Sequence, residues 1–313
     1  MPRLPLPLLL RTLSSYALAI LTAAVPVRAD ASEVVLVLGE EGGAYKEVAE
    51  EIRSRLEPVA KVSLHNTAGL KELERAQPRF VVAVGARAAS MLASSPAGAP
   101  VLVTLLPKDA FERLVAGSRR EGVSRSMSAV YLDHPLARQF DLIRLAMPEA
   151  QRIGVLLGPE ARLRFGELQS AALGNRLKLS TQLVAQDGDL APALQKLLPE
   201  IDLLLALPDP AVLNAGTIQM VLLSAYRHQR PLVGFSAAYT RAGAVLSLYS
   251  TPRQIGRQAA DMLRFALSAG RLPAPQYPRN YEVSTNPHVA RSLGLSLESE
   301  ERLLQRLRDL ERD

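Results

Sequence analysis

The feature that most constrains this chain is a series of short apolar runs that alternate with helical patterns, and the series occurs twice. Runs without polar alternation are typical of strands buried on both faces of a parallel sheet. Each parallel pair needs a right-handed helical crossover. The sequence therefore predicts an α/β fold with two Rossmann-like lobes and parallel sheets. The expected strands are residues 34–39, 62–65, 80–85, 101–106 and 129–132 in the first series, and 153–158, 178–184, 203–207, 232–235 and 244–249 in the second.

Three stretches of chain are expected to connect the lobes as a hinge. The first crossing is predicted near Asp133 and the second at residues 249–252, before a long helical pattern. The third is predicted near residue 280, after the proline-rich segment 272–278 and before a last strand. The predicted boundaries are a signal peptide at 1–31, an N-terminal lobe of 32–133 with part of 253–298, a C-terminal lobe of 134–252, and a C-terminal amphipathic helix at 299–313.

The C-terminal pattern is that of an amphipathic helix, because leucines share one face and charged residues occupy the rest. We favour docking of this helix on its own lobe. The alternative is a contact with a partner or with a second copy of the chain. The leucines concerned are Leu303, Leu304, Leu307 and Leu310.

The first 31 residues are organised as a secretory signal peptide. Basic residues at Arg3 and Arg11 precede an apolar run at 13–25, which is shorter than the roughly 20 residues of a bilayer span. Small residues give cleavage sites near Ala29 or Ala31. No cysteine follows the run, so lipid attachment is excluded and a soluble periplasmic protein is predicted, with membrane contact only through a partner. A retained N-terminal anchor is the alternative.

Composition excludes several classes of protein. The chain has 37 basic and 31 acidic side chains, and three of the bases leave with the signal, so the mature charge is nearly balanced. A nearly balanced charge does not predict the basic surface with which proteins bind nucleic acid. The absence of cysteine excludes disulfides and thiolate chemistry.

Catalytic motifs are also missing from the sequence. The four histidines do not pair at metal-ligand spacing. There is no nucleophile elbow, phosphate loop or zinc-protease helix motif. We therefore expect no enzyme activity, no cofactor and no metal site.

A ligand site is expected at the carboxyl ends of the strands, where open α/β sheets bind small molecules beside helix N-termini. Two readings of Asp209 stay open: it holds a ligand ammonium, or it caps a helix predicted at 211–228. Ser236 has the same ambiguity, and Tyr249 could instead pack against the crossover helix. The candidate ligand-binding residues are Gly42, Gly85, Ala86 and Thr104 in the first lobe and Asp209, Ser236 and Tyr249 in the second.

Five stretches, taken in order, resemble one known family. They are FDLIRLAMPEAQRIGVLLG at 140–158, LLALPDP at 204–210, PLVGFS at 231–236, GAVLSLYSTPRQIG at 243–256 and VSTNPHVARSLG at 283–294. The sequence resembles the bacterial ABC-transporter substrate-binding proteins of the tryptophan/tyrosine-type uptake group. The family's polar and aromatic site positions in the second lobe fall on Asp209, Ser236 and Tyr249.

The resemblance implies a type I periplasmic-binding-protein fold and two lobes that close on a small molecule by hinge rotation. It implies an amino acid or a related metabolite as ligand and an ABC permease as partner. The first lobe departs from the family pattern at 38–43, 66–69 and 106–109, which leaves the ligand open. A binding-protein-like sensor or scaffold of the cell envelope, without a transport role, is the alternative.

Overall fold

The computed structural model describes residues 33–67, 77–95, 98–120, 126–159 and 161–312. The predicted signal peptide, with its cleavage sites, lies outside the described residues, and so does the stretch 70–76, for which the sequence predicts a short helix. Within them, no helix combines the length and hydropathy that a bilayer crossing requires.

The first lobe contains a five-stranded sheet in the order β2-β1-β3-β4-β5, and all neighbouring strands are parallel. Residues 34–38 of β1 and all of β3 are apolar and buried, which is why no polar alternation marks them. The strands are β1 (Glu33–Leu38), β2 (Lys61–Asn66), β3 (Phe80–Val84), β4 (Val101–Leu106) and β5 (Met127–Tyr131), and the intervening helices are α1 (Gly43–Leu56), α2 (Ala86–Ala93) and α3 (Lys108–Arg120).

The second lobe contains a six-stranded sheet in the order β11-β10-β9-β8-β6-β7. Its last strand runs antiparallel to β10, and the other pairs are parallel. The strands are β6 (Arg152–Leu157), β7 (Lys178–Leu183), β8 (Leu203–Leu205), β9 (Leu232–Gly234), β10 (Leu246–Tyr249) and β11 (Glu282–Thr285). The helices of this half of the chain are α4 (Leu136–Ala146), α5 (Phe165–Gly174), α6 (Leu190–Leu197), α7 (Ile218–Arg227), α8 (Ala237–Ala242), α9 (Pro252–Ala269), α10 (Pro287–Ser292) and α11 (Glu300–Leu310). The predicted two-lobed α/β fold is confirmed.

The long helix α9 belongs to the first lobe, although it follows a strand of the second. Thr251 begins it with a capping box that includes Gln254. Its buried face lies in the same core as α1. A Cβ on Gly256 would lie 2.8 Å from the Cβ of Glu51, so the two helices approach closely at this glycine. The chain therefore crosses back to the first lobe at Thr251.

The C-terminal helix α11 packs on the second lobe. Leu303 and Leu307 are completely buried in the core that includes α4 and β11. The Glu300 carboxylate accepts a hydrogen bond from the Thr285 backbone N–H at 2.6 Å, and the Tyr281 hydroxyl donates to Glu311 at 2.6 Å. Leu303 and Leu307 therefore pack in the core of their own chain.

Candidate functional site

A cavity of about 610 Å³ lies between residues of the two lobes. It is formed where β3 and β4 end in the first lobe and where β8 and β9 end in the second, as expected for open α/β sheets. The lining is mostly apolar. Among the described residues, it includes Tyr45, Ala86, Ser90, Ala93, Ser94, Leu105, Leu106, Pro107, Ala110, Arg113, Leu114, Gly117, Ser118 and Leu132 from the first lobe, and Pro208, Asp209, Pro210, Leu213 and Phe235 from the second.

The first-lobe wall depends on a bulge at the end of β4. The register between β4 and β5 shifts between Val103 and Leu106. Leu105 within this shift has φ of +53°, a left-handed conformation that costs a non-glycine residue about 1–2 kcal/mol. Bulges of this kind redirect side chains next to binding sites. Here the bulge brings Leu105 and Leu106 into the cavity lining.

The second-lobe wall is organised around Asp209. Its side chain is only 2% exposed, and its Oδ1 accepts a hydrogen bond from the Ala211 N–H at 3.0 Å. A Cβ on Gly158 would lie 2.3 Å from Oδ2, so the carboxylate rests directly against this glycine. Asp209 thus shapes the turn that follows β8.

The helix predicted at 211–228 begins only at Ile218, and the alternative role of Asp209 as its N-cap is wrong. Asn214 explains the delay, because its Oδ1 accepts hydrogen bonds from the backbone N–H groups of Gly216 and Thr217. These bonds stabilise a turn in place of the first helical turns.

The seven sequence candidates occupy different places. Ala86 and Asp209 line the cavity, and Gly42, Gly85, Thr104, Ser236 and Tyr249 do not. Thr104 is completely buried, and its hydroxyl lies 3.4 Å from the Ala83 carbonyl oxygen. Tyr249 pairs with Glu282 in the sheet of the second lobe, and Ser236 precedes α8.

The two glycine candidates act at helix starts. Gly42 and Gly85 precede α1 and α2 with φ of +88° and +90°, a backbone region that favours glycine. A Cβ on Gly85 would lie 2.3 Å from the Tyr45 ring. Because Tyr45 lines the cavity, Gly85 makes room for this wall without contacting the cavity itself.

Sequence reasoning missed much of the lining. Ser90 on α2, Ser94 directly after α2, and Arg113 and Leu114 on α3 all line the cavity. Their helical spacing is visible in the sequence, but nothing there shows that these residues lie opposite a second lobe. The sequence predicts Phe235 as the last residue of a strand at 232–235, and its place in the wall follows only from the arrangement of the lobes.

Beside the cavity lies a cluster of charged residues that we call the Arg164 cluster, formed by Lys108, Asp109, Asp133, Arg164 and Glu167. The Arg164 guanidinium is 2.9 Å from Asp133, 3.2 Å from Asp109 and 3.1 Å from Glu167. Burial raises the pKa of Asp109 to about 6, and the Arg164 charge opposes this shift. Burial alone would lower the pKa of Arg164, but the three carboxylates raise it.

The hinge contains a buried histidine. The ring of His134 is 2% exposed, with Nδ1 3.0 Å from Arg138 Nη1 and Nε2 3.4 Å from the Ser250 hydroxyl. Burial and the Arg138 charge lower the pKa of His134 to about 3. The ring is therefore neutral at physiological pH. Because Arg138 only donates, Nδ1 accepts and Nε2 carries the proton.

Among the described residues, no three histidine, aspartate or glutamate side chains come together as a metal site. A comparison with curated protein sequences finds no match.

Several solved structures have the same fold, and in three of them the match covers nearly the whole length of the solved chain. A conserved domain protein of Vibrio cholerae is 21% identical, with a TM-score of 0.63, and the match covers 88% of this chain and 98% of that one. A Streptococcus pneumoniae protein in complex with L-Trp is 16% identical, with a TM-score of 0.63 and coverage of 88% and 97%. A ligand-free, open substrate-binding protein with adhesive properties from Clostridium difficile is 14% identical, with a TM-score of 0.68 and coverage of 86% and 97%.

The family comparison gives a more direct result. Residues 54–304 match the model of the ABC transporter substrate binding protein family, which covers most of both lobes and continues into α11. This match includes all five stretches on which the resemblance was based, and it confirms that resemblance. The chain belongs to the ABC transporter substrate-binding protein family.

Proposed function

We propose that this chain is an exported, non-catalytic solute-binding protein that captures a small molecule between its lobes and delivers it to an ABC permease. The observation that carries the proposal is the cavity of about 610 Å³ at the carboxyl ends of both sheets. Its size falls within the range of small-molecule sites. The family supports export, and the signal-like sequence at 1–31 supports a periplasmic location.

The lining favours an amino acid or a related metabolite with an apolar body. Most wall residues are aliphatic, proline or aromatic, and Phe235 and Tyr45 contribute rings from the two lobes. Among the described residues, two charged side chains line the wall; they have opposite signs and come from opposite lobes, since Arg113 lies on α3 and Asp209 follows β8. This arrangement suits a zwitterion. The L-Trp bound to the Streptococcus pneumoniae structure is consistent with this class.

The test is a thermal-shift screen of residues 32–313, which form one compact unit. The library contains amino acids, aromatic metabolites, nucleosides, organic acids and sugars. A ligand that binds only the folded state raises Tm with concentration. We expect a dose-dependent rise with the amino acid class. No rise with any class would refute solute binding and favour the sensor or scaffold role.

A pair of variants tests the cavity assignment. Asp209→Asn removes the carboxylate charge from the wall and is expected to weaken the ligand-induced rise in Tm. Asp189→Asn is the matched control, because Asp189 also accepts backbone hydrogen bonds in a second-lobe turn but lies outside the cavity. Equal weakening in both variants would show that the effect comes from turn stability and would contradict the assignment.

A further inference from the structure

The Arg164 cluster joins the two lobes. Arg164 ends the short helical turn after β6, and Glu167 lies on α5, so both belong to the second lobe. Asp109 is on α3 and Asp133 lies two residues after the end of β5, so both belong to the first. A third ion pair also crosses between the lobes, since Lys108 Nζ on α3 is 3.6 Å from Glu167.

Asp133 is also held by a hydrogen bond within the first lobe, and it is deeply buried. The Lys108 backbone N–H donates to Asp133 Oδ1 at 2.8 Å, and this bond lies within the first lobe. The Asp133 side chain is 1% exposed and that of Arg164 is 9% exposed. A buried carboxylate without a cation is strongly unfavourable. Asp133 therefore keeps its desolvated position only while Arg164 reaches it from the other lobe.

The cluster lies beside the cavity without lining it. No member of the Arg164 cluster is a wall residue, although Pro107, Ala110 and Leu132 beside its first-lobe members are. The cluster can therefore favour one arrangement of the lobes without contacting a ligand. A contact made in only one arrangement shifts the equilibrium toward that arrangement.

We propose that Arg164 is an interlobe clasp, a positioning residue that holds the lobes in the arrangement described here when no ligand is bound. The inference deepens the proposed function, because the clasp acts on the cleft that would hold the solute. Separating the lobes breaks the contacts of Arg164 with Asp109 and Asp133 and returns the carboxylates to water. The clasp thereby sets how much of the protein is preorganised for binding.

The test measures the distance between the lobes in ligand-free protein. The chain has no cysteine, so spin labels can be attached specifically through Glu47→Cys on α1 and Gln219→Cys on α7. Both positions are exposed, and each lies within the first five residues of a helix that begins at the carboxyl edge of its sheet. Double electron–electron resonance then gives the distance distribution.

We expect Arg164→Met to shift this distribution to longer distances. Arg152→Met is the matched control, because Arg152 pairs at 2.6 Å with Asp202 inside the second lobe, and its distribution should equal the parent's. A parent-like distribution in folded Arg164→Met overturns the proposal. The screen for ligand-induced shifts in Tm does not depend on this outcome, so failure of the clasp and failure of solute binding are distinguishable.

A second measurement, the pH dependence of the distance between the lobes, uses the parent protein. It tests the proposal even if Arg164→Met does not fold. The charged and titratable groups that face Asp109 are Lys108, Glu112, Asp133, Arg164, Glu167 and Tyr277. The five cluster members carry one surplus negative charge, which a proton would neutralise. Burial raises the pKa values of both Asp109 and Asp133. Burial also acts to raise the pKa of Glu167, but its bond to Arg164 outweighs this and lowers it, so Glu167 is mostly ionised in either arrangement above pH 5. Between pH 8 and pH 5 the clasped arrangement therefore binds more protons than an open one.

Acidification must therefore favour the clasped arrangement. With a pKa of about 6 here and the ordinary value of about 3.9 in an open cleft, Asp109 alone raises the ratio of clasped to open protein about tenfold between pH 8 and pH 5. We expect shorter distances at pH 5 in the parent and a smaller response in Asp109→Asn. No response in the parent, or an equal response in both proteins, overturns the proposal.

Discussion

Replacement of His134 by glutamine should remove a specific part of the acid sensitivity of this protein. The ring is buried and neutral because burial and Arg138 lower its pKa to about 3. The unfolded chain binds a proton with the ordinary histidine pKa of about 6.5. Between these two values only the unfolded state is protonated, so stability falls as the pH falls. A glutamine can accept from Arg138 and donate to Ser250 without titrating.

The expected size follows from linkage. Between pH 7.5 and pH 5, protonation of His134 in the unfolded state lowers the free energy of unfolding by about 2 kcal/mol. Urea unfolding at both pH values measures the loss in parent and in His134→Gln, and the variant should lose about 2 kcal/mol less. Groups that titrate in both proteins cancel in this difference. His228→Gln, at an exposed histidine, should behave as the parent does. An equal loss in parent and His134→Gln would refute the reasoning.

Two further predictions concern the cavity wall and the C-terminal helix. In urea unfolding, Leu105→Gly should be more stable than Leu105→Ala by up to about 1 kcal/mol, because glycine tolerates the left-handed backbone. Leu102 is the control, because it has ordinary strand conformation. There the alanine variant should be more stable than the glycine variant by about 0.5–1 kcal/mol. Leu307→Ala should lower the free energy of unfolding by about 2–5 kcal/mol because Leu307 is fully buried, whereas Leu310→Ala, at a half-exposed position, should change it by less than about 0.5 kcal/mol. Equal effects of the two leucine truncations would show that α11 is not docked.

The strands could be predicted from the sequence because strands buried on both faces consist of continuous apolar residues. Strands such as β3, with the sequence FVVAV, are buried at every position, and this pattern distinguishes a doubly covered parallel sheet. The helix boundaries after β8 could not be predicted in the same way. There the side chains of Asp209 and Asn214 hold a turn by local hydrogen bonds, which compete with helical bonds in a sequence that reads as helical.

The site was only partly predictable, because its geometry depends on contacts between distant segments. The rule that ligands bind at strand ends led to Ala86 and Asp209, which line the cavity. It could not reveal Leu105, whose place depends on a bulge inside an ordinary apolar run. Nor could it reveal Arg164, which reads as one of many surface arginines until the first lobe brings Asp133 to within 2.9 Å.

The three interlobe connections each change lobe within a few residues. In the first, the Asp133 carboxylate is bound to the Lys108 N–H in the first lobe, and His134 contacts Arg138 in the second. In the third, the Arg279 N–H donates to Gln258 on α9 at 2.9 Å. Two residues later, Tyr281 lies in the core of the second lobe. The change of lobe therefore falls at His134 and at residue 280.

The second connection changes lobe at Ser250, between Tyr249 on β10 and Thr251 at the start of α9. The Ser250 hydroxyl donates to the Asn280 carbonyl oxygen at 2.6 Å and lies 3.4 Å from His134 Nε2, so it joins all three connections at one point. Rotation of the lobes about this hydroxyl displaces the three crossing segments least. The same rotation would displace each lobe more with increasing distance from this point. The polar junction at Ser250 and the Arg164 clasp therefore have complementary effects: the junction limits which motion is allowed, and the clasp determines how often it occurs.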